Sequence, residues 1–258
     1  MKIPFLLALI FTASICHAQN PPAMQKQKQV LFDFRTTRRN AQPKIPLATQ
    51  KSILSQVFPK YLTDDNKCNS QLDMSGFSDP LKAARTAGQI VPIVSDIASG
   101  SFTAAGQTQT AYLISVNECF ASHADNYGTQ RIAIFSGQRL LANIDVDFKS
   151  SIILKTDLNS DGVNELLLTG GDLHQGILTE IAALVEFQNG RMRVVQNFGA
   201  VVEDSCGAQM SDGSSKVAIL YLSDVEPGKM PRFRQENYVS DCRTTKRWRL
   251  LSTGRMPD

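Results

Sequence analysis

The pattern of apolar and polar positions divides the chain into a short helical region and a long series of strands. From Leu47 to Leu62 apolar residues recur at spacings of three and four, which predicts an amphipathic helix. Asp79-Pro80 before Leu81 to Arg85 predicts a second short helix, because Asp favours the N-cap and proline the first helical position. Beyond about residue 97 the apolar residues fall in short runs rich in β-branched and aromatic types, which predict strands.

The predicted strands follow one another without helices between them. Asn189-Gly190 is the strongest hairpin signal, because both central turn positions tolerate positive φ, and Ser136-Gly137-Gln138 is a weaker one. Parallel strands would need crossover segments, so antiparallel meanders are expected. The strands are predicted at 99–104, 108–116, 131–136, 139–146, 151–156, 165–169, 179–188, 191–198, 216–223, 232–239 and 245–251.

The N-terminal residues predict export. Lys2 gives a basic start, Pro4 to Ile15 is an apolar run too short to span a bilayer, and Cys16-His17-Ala18 places small residues before a cleavage point. We therefore expect a signal peptide at 1–18, cleaved after Ala18, and a periplasmic or extracellular protein. No later apolar run reaches the length of a transmembrane segment.

Composition adds two expectations about organisation and partners. Residues 19–46 are polar, basic and rich in proline, which predicts a flexible leader whose apolar patch Val30 to Phe34 docks one short strand. Residues 47–258 are expected to form a single β-rich domain with helices at its start. With 27 basic and 24 acidic residues, the net charge of +3 is too small to indicate a nucleic-acid partner.

Four cysteines follow the predicted signal peptide, and an even number in an oxidising compartment indicates two disulfides. Three pairings are possible. We favour Cys68 with Cys119 and Cys206 with Cys242, because each pair ties neighbouring segments and the second brackets two strands. Zinc ligation is disfavoured because the chain contains no Cys-x-x-Cys motif.

The loop from Asp157 to Glu165, with the sequence DLNSDGVNE, carries the strongest chemical signal in the chain. Oxygen-bearing side chains at alternate positions meet at one point only if the backbone turns sharply, and Gly162 readily adopts the left-handed conformation that such a turn requires. A ring of oxygen ligands suits a hard divalent cation. An EF-hand is excluded, because its twelfth position carries a bidentate glutamate and here that residue is Leu168.

The same loop resembles the calcium loop of FG-GAP and VCBS-type repeats, as in the integrin α propeller, where Asp-x-Asn-x-Asp-Gly-x-x-Asp lies between two β-strands. The resemblance covers about residues 151–171, in a single copy. It implies that the cofactor is calcium, bound by side chains of Asp157, Asn159, Asp161 and Glu165 and by the carbonyl of Val163. Glu165 stands where these repeats usually have aspartate.

A closed propeller needs at least four blades of four strands, more than the strands predicted here. The expected fold is therefore mainly β, with antiparallel meander sheets in a partial propeller-like arrangement or a sandwich, and one or two short N-terminal helices. The expected function is that of an exported calcium-binding protein acting as a binding or structural module, whose ion stabilises the strand–loop–strand. Its partner would be an unidentified protein or glycan, and the oligomeric state is left open.

The alternative is a secreted hydrolase of the glycosidase type that uses paired carboxylates. Asp145 with Asp147 and Glu180 with Glu186 share strand faces by two-residue periodicity. Exposed strand faces carry such residues routinely, so no catalytic residue is assigned and a non-enzymatic role is favoured.

No catalytic role is assigned to His123 and His174, and none to the single tryptophan, Trp248. His123 and His174 lack the Gly-x-Ser-x-Gly motif of serine hydrolases. Asp172 and His174 are instead expected as a polar rim beside the calcium loop. Trp248, between Arg247 and Arg249, is expected to pack in the core or an interface.

Overall fold

The computed structural model describes residues 28–36, 43–58, 93–115, 130–146, 149–208, 213–243 and 247–255. Within these ranges the chain forms twelve strands, one α-helix and a short 3-10 turn at Phe34–Thr36. The elements are β1 (Gln29–Asp33), α1 (Leu47–Val57), β2 (Ile93–Gly100), β3 (Gln109–Ser115), β4 (Arg131–Ser136), β5 (Arg139–Asp145), β6 (Ser151–Thr156), β7 (Glu165–His174), β8 (Ile177–Gln188), β9 (Arg191–Asp204), β10 (Ser214–Ser223), β11 (Arg232–Asp241) and β12 (Arg249–Arg255).

Two antiparallel sheets contain these strands. The larger has eight strands in the order β12-β11-β10-β9-β8-β7-β6, with β1 paired to β10, and the smaller has the order β2-β3-β4-β5. One edge of β10 is shared, since residues 215–217 pair with β9 and residues 219–222 pair with β1. The predicted mainly β class and the antiparallel meanders are therefore confirmed.

Both faces of β7 at residues 165–170 and of β8 at residues 182–187 are buried. Leu166 and Leu168 of β7 lie in a core shared with the four-stranded sheet, whereas Leu167 lies in a second core with β9, β10 and β11. Successive side chains of a strand point to opposite faces, so a strand buried on both faces has a continuous apolar run. This explains why the run Leu166 to Leu168 shows no polar alternation.

Helix α1 covers the other face of the four-stranded sheet. Ile53, Leu54 and Val57 pack with Ile114 of β3 and with Phe135 of β4 in a third core.

Helix α1 ends before the predicted boundary at residue 62. Phe58 leaves the helical conformation, with φ −128° and ψ 58°, because the residue before a proline, here Pro59, disfavours helical geometry. The predicted second helix at 81–85 lies outside the described residues.

Several predicted strand boundaries are wrong. β2 runs from 93 to 100 rather than from 99 to 104, since residues 101–104 belong to the turn that follows it. β9 continues to Asp204 instead of 198 because its second half pairs with both β8 and β10. β12 runs from 249 to 255, further toward the C-terminus than the predicted strand at 245–251. The short strand expected within residues 19–46 is present as β1.

The disulfide between Cys206 and Cys242 is confirmed, and it brackets β10 and β11 as expected. Cys68 and Cys119 lie outside the described residues, as does the predicted signal peptide. Among the residues that the structure describes, no helix has the length and apolar content that crossing a membrane requires.

Candidate metal-binding loop

The eight-residue connection between β6 and β7 contains most of the predicted ion ligands. Its backbone turns twice into the left-handed region, at Ser160 with φ 59° and at Gly162 with φ 82°. The sharp turn predicted at Gly162 is therefore present.

Side-chain oxygens in the loop accept hydrogen bonds from the loop's own backbone. The two carboxylate oxygens of Asp157 accept from the N–H groups of Asp161 at 3.1 Å and Gly162 at 3.0 Å. Asp161 Oδ1 accepts from the Val163 N–H at 2.7 Å, and Asp161 Oδ2 accepts from Asn159 Nδ2 at 2.9 Å. The structure thus brings Asp157, Asn159 and Asp161 into one hydrogen-bonded group.

Glu165 differs from these three side chains because it is buried, with 1 % of the residue exposed. Its Oε2 accepts a hydrogen bond of 2.9 Å from the Leu158 N–H across the base of the loop. The pKa of Glu165 is raised to about 7, chiefly by burial and also by the negative charges of Asp157 and Asp161, while backbone hydrogen bonds act in the opposite direction. No Lys, Arg or His among the described residues forms an ion pair with this carboxylate.

The donor chemistry of the loop fits a hard cation, because the predicted ligands all offer oxygen atoms. A carboxylate oxygen that accepts one hydrogen bond still has a free lone pair. Among the described residues, however, no group of three or more His, Cys, Asp and Glu side chains is arranged to hold a metal ion. Binding therefore requires these side chains to exchange part of their hydrogen bonds within the loop for contacts with the ion.

The loop also joins parts of the fold that are distant in sequence. Asn164 forms two hydrogen bonds with Ser101 of the β2–β3 connection: its N–H donates to the Ser101 carbonyl at 2.6 Å, and its Oδ1 accepts from the Ser101 N–H at 2.9 Å. The Asn159 carbonyl accepts from the N–H of Gly228, in the β10–β11 connection, at 2.7 Å. The sequence pattern assigns no role to Asn164 and did not indicate this contact.

Asp96 is a second polar residue that sequence reasoning missed. It is buried in β2, where Oδ1 accepts from the Ile97 N–H and Oδ2 from the Ile152 N–H of β6, both at 2.8 Å. A carboxylate therefore joins β2 of the four-stranded sheet to β6, the strand at one end of the larger sheet. The only available signal was a charged residue within the largely apolar stretch from Ile90 to Ile97.

The carboxylate pairs considered for hydrolysis gain no support from their contacts. Glu186 is buried and its Oε1 accepts from Arg193 Nε of the adjacent strand at 2.7 Å. Asp145 lies at the end of β5, within 3.9 Å of Arg131, whereas Asp147 lies outside the described residues. Glu180 pairs with Val202 in the β8–β9 ladder.

The expected polar rim beside the loop is wrong. Glu165 is the first residue of β7 and His174 the last, and a strand rises about 3.3 Å per residue, so Asp172 and His174 lie near the opposite end of the strand. Trp248 packs against the second core, as expected. His123 lies outside the described residues.

In comparisons with family models, curated proteins and solved structures, no match to this chain is found. The resemblance of residues 151–171 to FG-GAP and VCBS-type repeats therefore stays a prediction.

Proposed function

We propose that this is an exported calcium-binding protein, in which an ion held by the loop from Asp157 to Glu165 stabilises the β6–β7 strand pair. The protein would act as a binding or structural module rather than as an enzyme. The Cys206–Cys242 disulfide is compatible with export. The ligands would be Asp157, Asn159, Asp161, Glu165 and the carbonyl of Val163.

The observation that carries the proposal is the environment of Glu165. The residue is 1 % exposed, burial and two negatively charged neighbours raise the pKa of its carboxyl group, and no described cationic side chain pairs with it. A buried charge is costly unless it is paired or coordinates a metal. A divalent cation between Glu165 and the two aspartates would remove this cost.

Calcium binding would also act on structure beyond the loop. Asn159 contacts the β10–β11 connection and Asn164 the β2–β3 connection. An ion that holds the loop in its folded shape would keep both contacts in place. The role supported best is therefore structural.

Thermal unfolding in calcium and in chelator tests the proposal. Wild type is expected to unfold at a higher temperature in calcium, because a ligand that binds only the folded state adds about 2.7 kcal/mol at 100 times its Kd. The Asp157→Asn, Asp161→Asn double variant should lose this response. Asp172→Asn, an exposed change of the same kind in the distal part of β7, should keep it.

Native mass spectrometry gives the direct measurement. One calcium ion per chain is expected for wild type and for Asp172→Asn, and none for the double variant. Spectra that contain only the bare polypeptide in excess calcium, with equal unfolding temperatures in calcium and chelator, would contradict the proposal.

A further inference from the structure

The β2–β3 and β6–β7 connections have the same layout. Each contains eight residues, 101–108 and 157–164, and each has a glycine with positive φ at its sixth position, Gly106 at 70° and Gly162 at 82°. The second position is apolar in both, Phe102 and Leu158.

Both connections are closed by the same hydrogen bond. The first residue of β3, Gln109, accepts from the Phe102 N–H through Oε1 at 2.7 Å. The first residue of β7, Glu165, accepts from the Leu158 N–H at 2.9 Å. Each bond spans seven positions, and the two acceptors are 3 % and 1 % exposed.

The strands around the connections repeat as well. Each group is a four-stranded antiparallel meander, β2 to β5 and β6 to β9, and each ends in a hairpin with a two-residue turn, 137–138 and 189–190. The bond from the Ile152 N–H to Asp96 and that from Lys155 Nζ to the Ser99 carbonyl both span 56 positions, the same offset that relates Gln109 to Glu165. Equivalent positions of β2 and β6 therefore lie side by side.

We infer that β2–β5 and β6–β9 are two copies of one four-stranded unit, in which Gln109 is the uncharged counterpart of Glu165. At the positions of Asp157, Asn159 and Asp161 the first copy has Ser101, Thr103 and Ala105, so its loop contains no acidic side chain. The amide of Gln109 closes that loop without charge. It accepts a second bond, from the Thr103 N–H at 2.9 Å, and donates from Nε2 to Thr103 Oγ1 at 2.6 Å.

The equivalence of Gln109 and Glu165 predicts opposite effects on the unfolding temperature when each is replaced by the other's residue type. All measurements are made in chelator. Gln109→Glu places a carboxylate in a buried position that has an amide, and the unfolding temperature should fall by at least about 4 °C relative to Gln107→Glu, which makes the same change at an exposed position of the same loop. Glu165→Gln should leave the unfolding temperature equal to or above that of wild type.

Backbone amide exchange tests the closing bond itself. The Phe102 and Leu158 amides should be protected in wild type, and each should lose protection only when its own acceptor is removed, in Gln109→Ala and Glu165→Ala respectively. Glu165→Gln should retain protection at Leu158. If Gln109 and Glu165 stabilised the fold in some other way, their replacement by alanine would reduce amide protection more widely than at Phe102 or Leu158 alone.

Conversion of the whole second loop is the strictest test. The variant with Asp157→Ser, Asn159→Thr, Asp161→Ala and Glu165→Gln keeps Asn164 and its contact with Ser101. It should fold in chelator and unfold at or above the wild-type temperature.

Two results would overturn the inference. One is that Gln109→Glu lowers the unfolding temperature no more than Gln107→Glu does. The other is that the Leu158 amide loses its protection from exchange as fully in Glu165→Gln as in Glu165→Ala. Because every arm is performed without calcium, failure of the protein to bind calcium leaves these outcomes unchanged.

Discussion

The pH dependence of stability in the absence of metal is set in part by Glu165. Its pKa in the folded protein is about 7, against an ordinary value of 4.5. Since one pKa unit corresponds to about 1.4 kcal/mol, the difference amounts to about 3 kcal/mol at most. At a pH between the two pKa values, Glu165 is still protonated in the folded protein but ionised in the unfolded chain. The free energy of unfolding therefore falls as pH rises through this range and levels off above about pH 7.

Urea unfolding in chelator, repeated from pH 4.5 to pH 8, measures this decline. Other groups also titrate in this range, so the informative quantity is the difference between wild type and Glu165→Gln, which keeps an acceptor for the Leu158 N–H but carries no charge. We expect wild type to lose up to about 3 kcal/mol relative to the variant across the range. Asp172→Asn serves as the control and should follow wild type.

Excess calcium should reduce the loss, because a bound cation offsets the charge of the ionised carboxylate. If wild type and Glu165→Gln decline in parallel in chelator, the buried carboxylate does not carry the charge cost assigned to it, and the main support for the calcium proposal is lost.

Two further experiments test contacts outside the loop. Asp96→Asn should lower the free energy of unfolding by about 1–3 kcal/mol in urea, because the N–H groups of Ile97 and Ile152 bond to different carboxylate oxygens and asparagine would set its Nδ2 donor against one of them; an unchanged midpoint would show that these bonds contribute nothing. Gly176→Ala should destabilise more than Gly190→Ala, because both have positive φ, 84° and 73°, but a Cβ at 176 would lie 2.8 Å from Ala208 Cα whereas nothing lies within 4 Å at 190. Gly190→Ala should cost only the backbone term of about 1–2 kcal/mol, and equal losses in thermal melts would refute the steric argument.

Sequence patterns located well the strands whose apolar residues form an unbroken run or that flank a clear hairpin turn. Asn189-Gly190 forms the expected hairpin, and β6 and β4 have the predicted boundaries. β2 was misplaced because Asp96 interrupts its apolar run, and only the contact with Ile152 explains a carboxylate there. That partner comes from another strand, so no local pattern could reveal it.

The candidate loop was located from its acidic residues and Gly162, but its counterpart at 101–108 was not. The two loops share the glycine, an apolar second position and a long amide or carboxyl side chain at the ninth, whereas the ligand types that define the motif differ. Their common shape comes from backbone hydrogen bonds to Gln109 and Glu165. A search for ligand residues cannot detect a similarity that lies in the backbone.

The pairing of β1 with β10 has a consequence for biogenesis. Lys28 forms an ion pair with Glu236, which is 208 positions later, and the ladder between β1 and β10 is almost as distant in sequence. A ribosome extends the chain at about 5–20 residues per second, so this early strand waits on the order of ten seconds or more for its partner to be translated. β1 can therefore take its place in the larger sheet only after β10 has been synthesised.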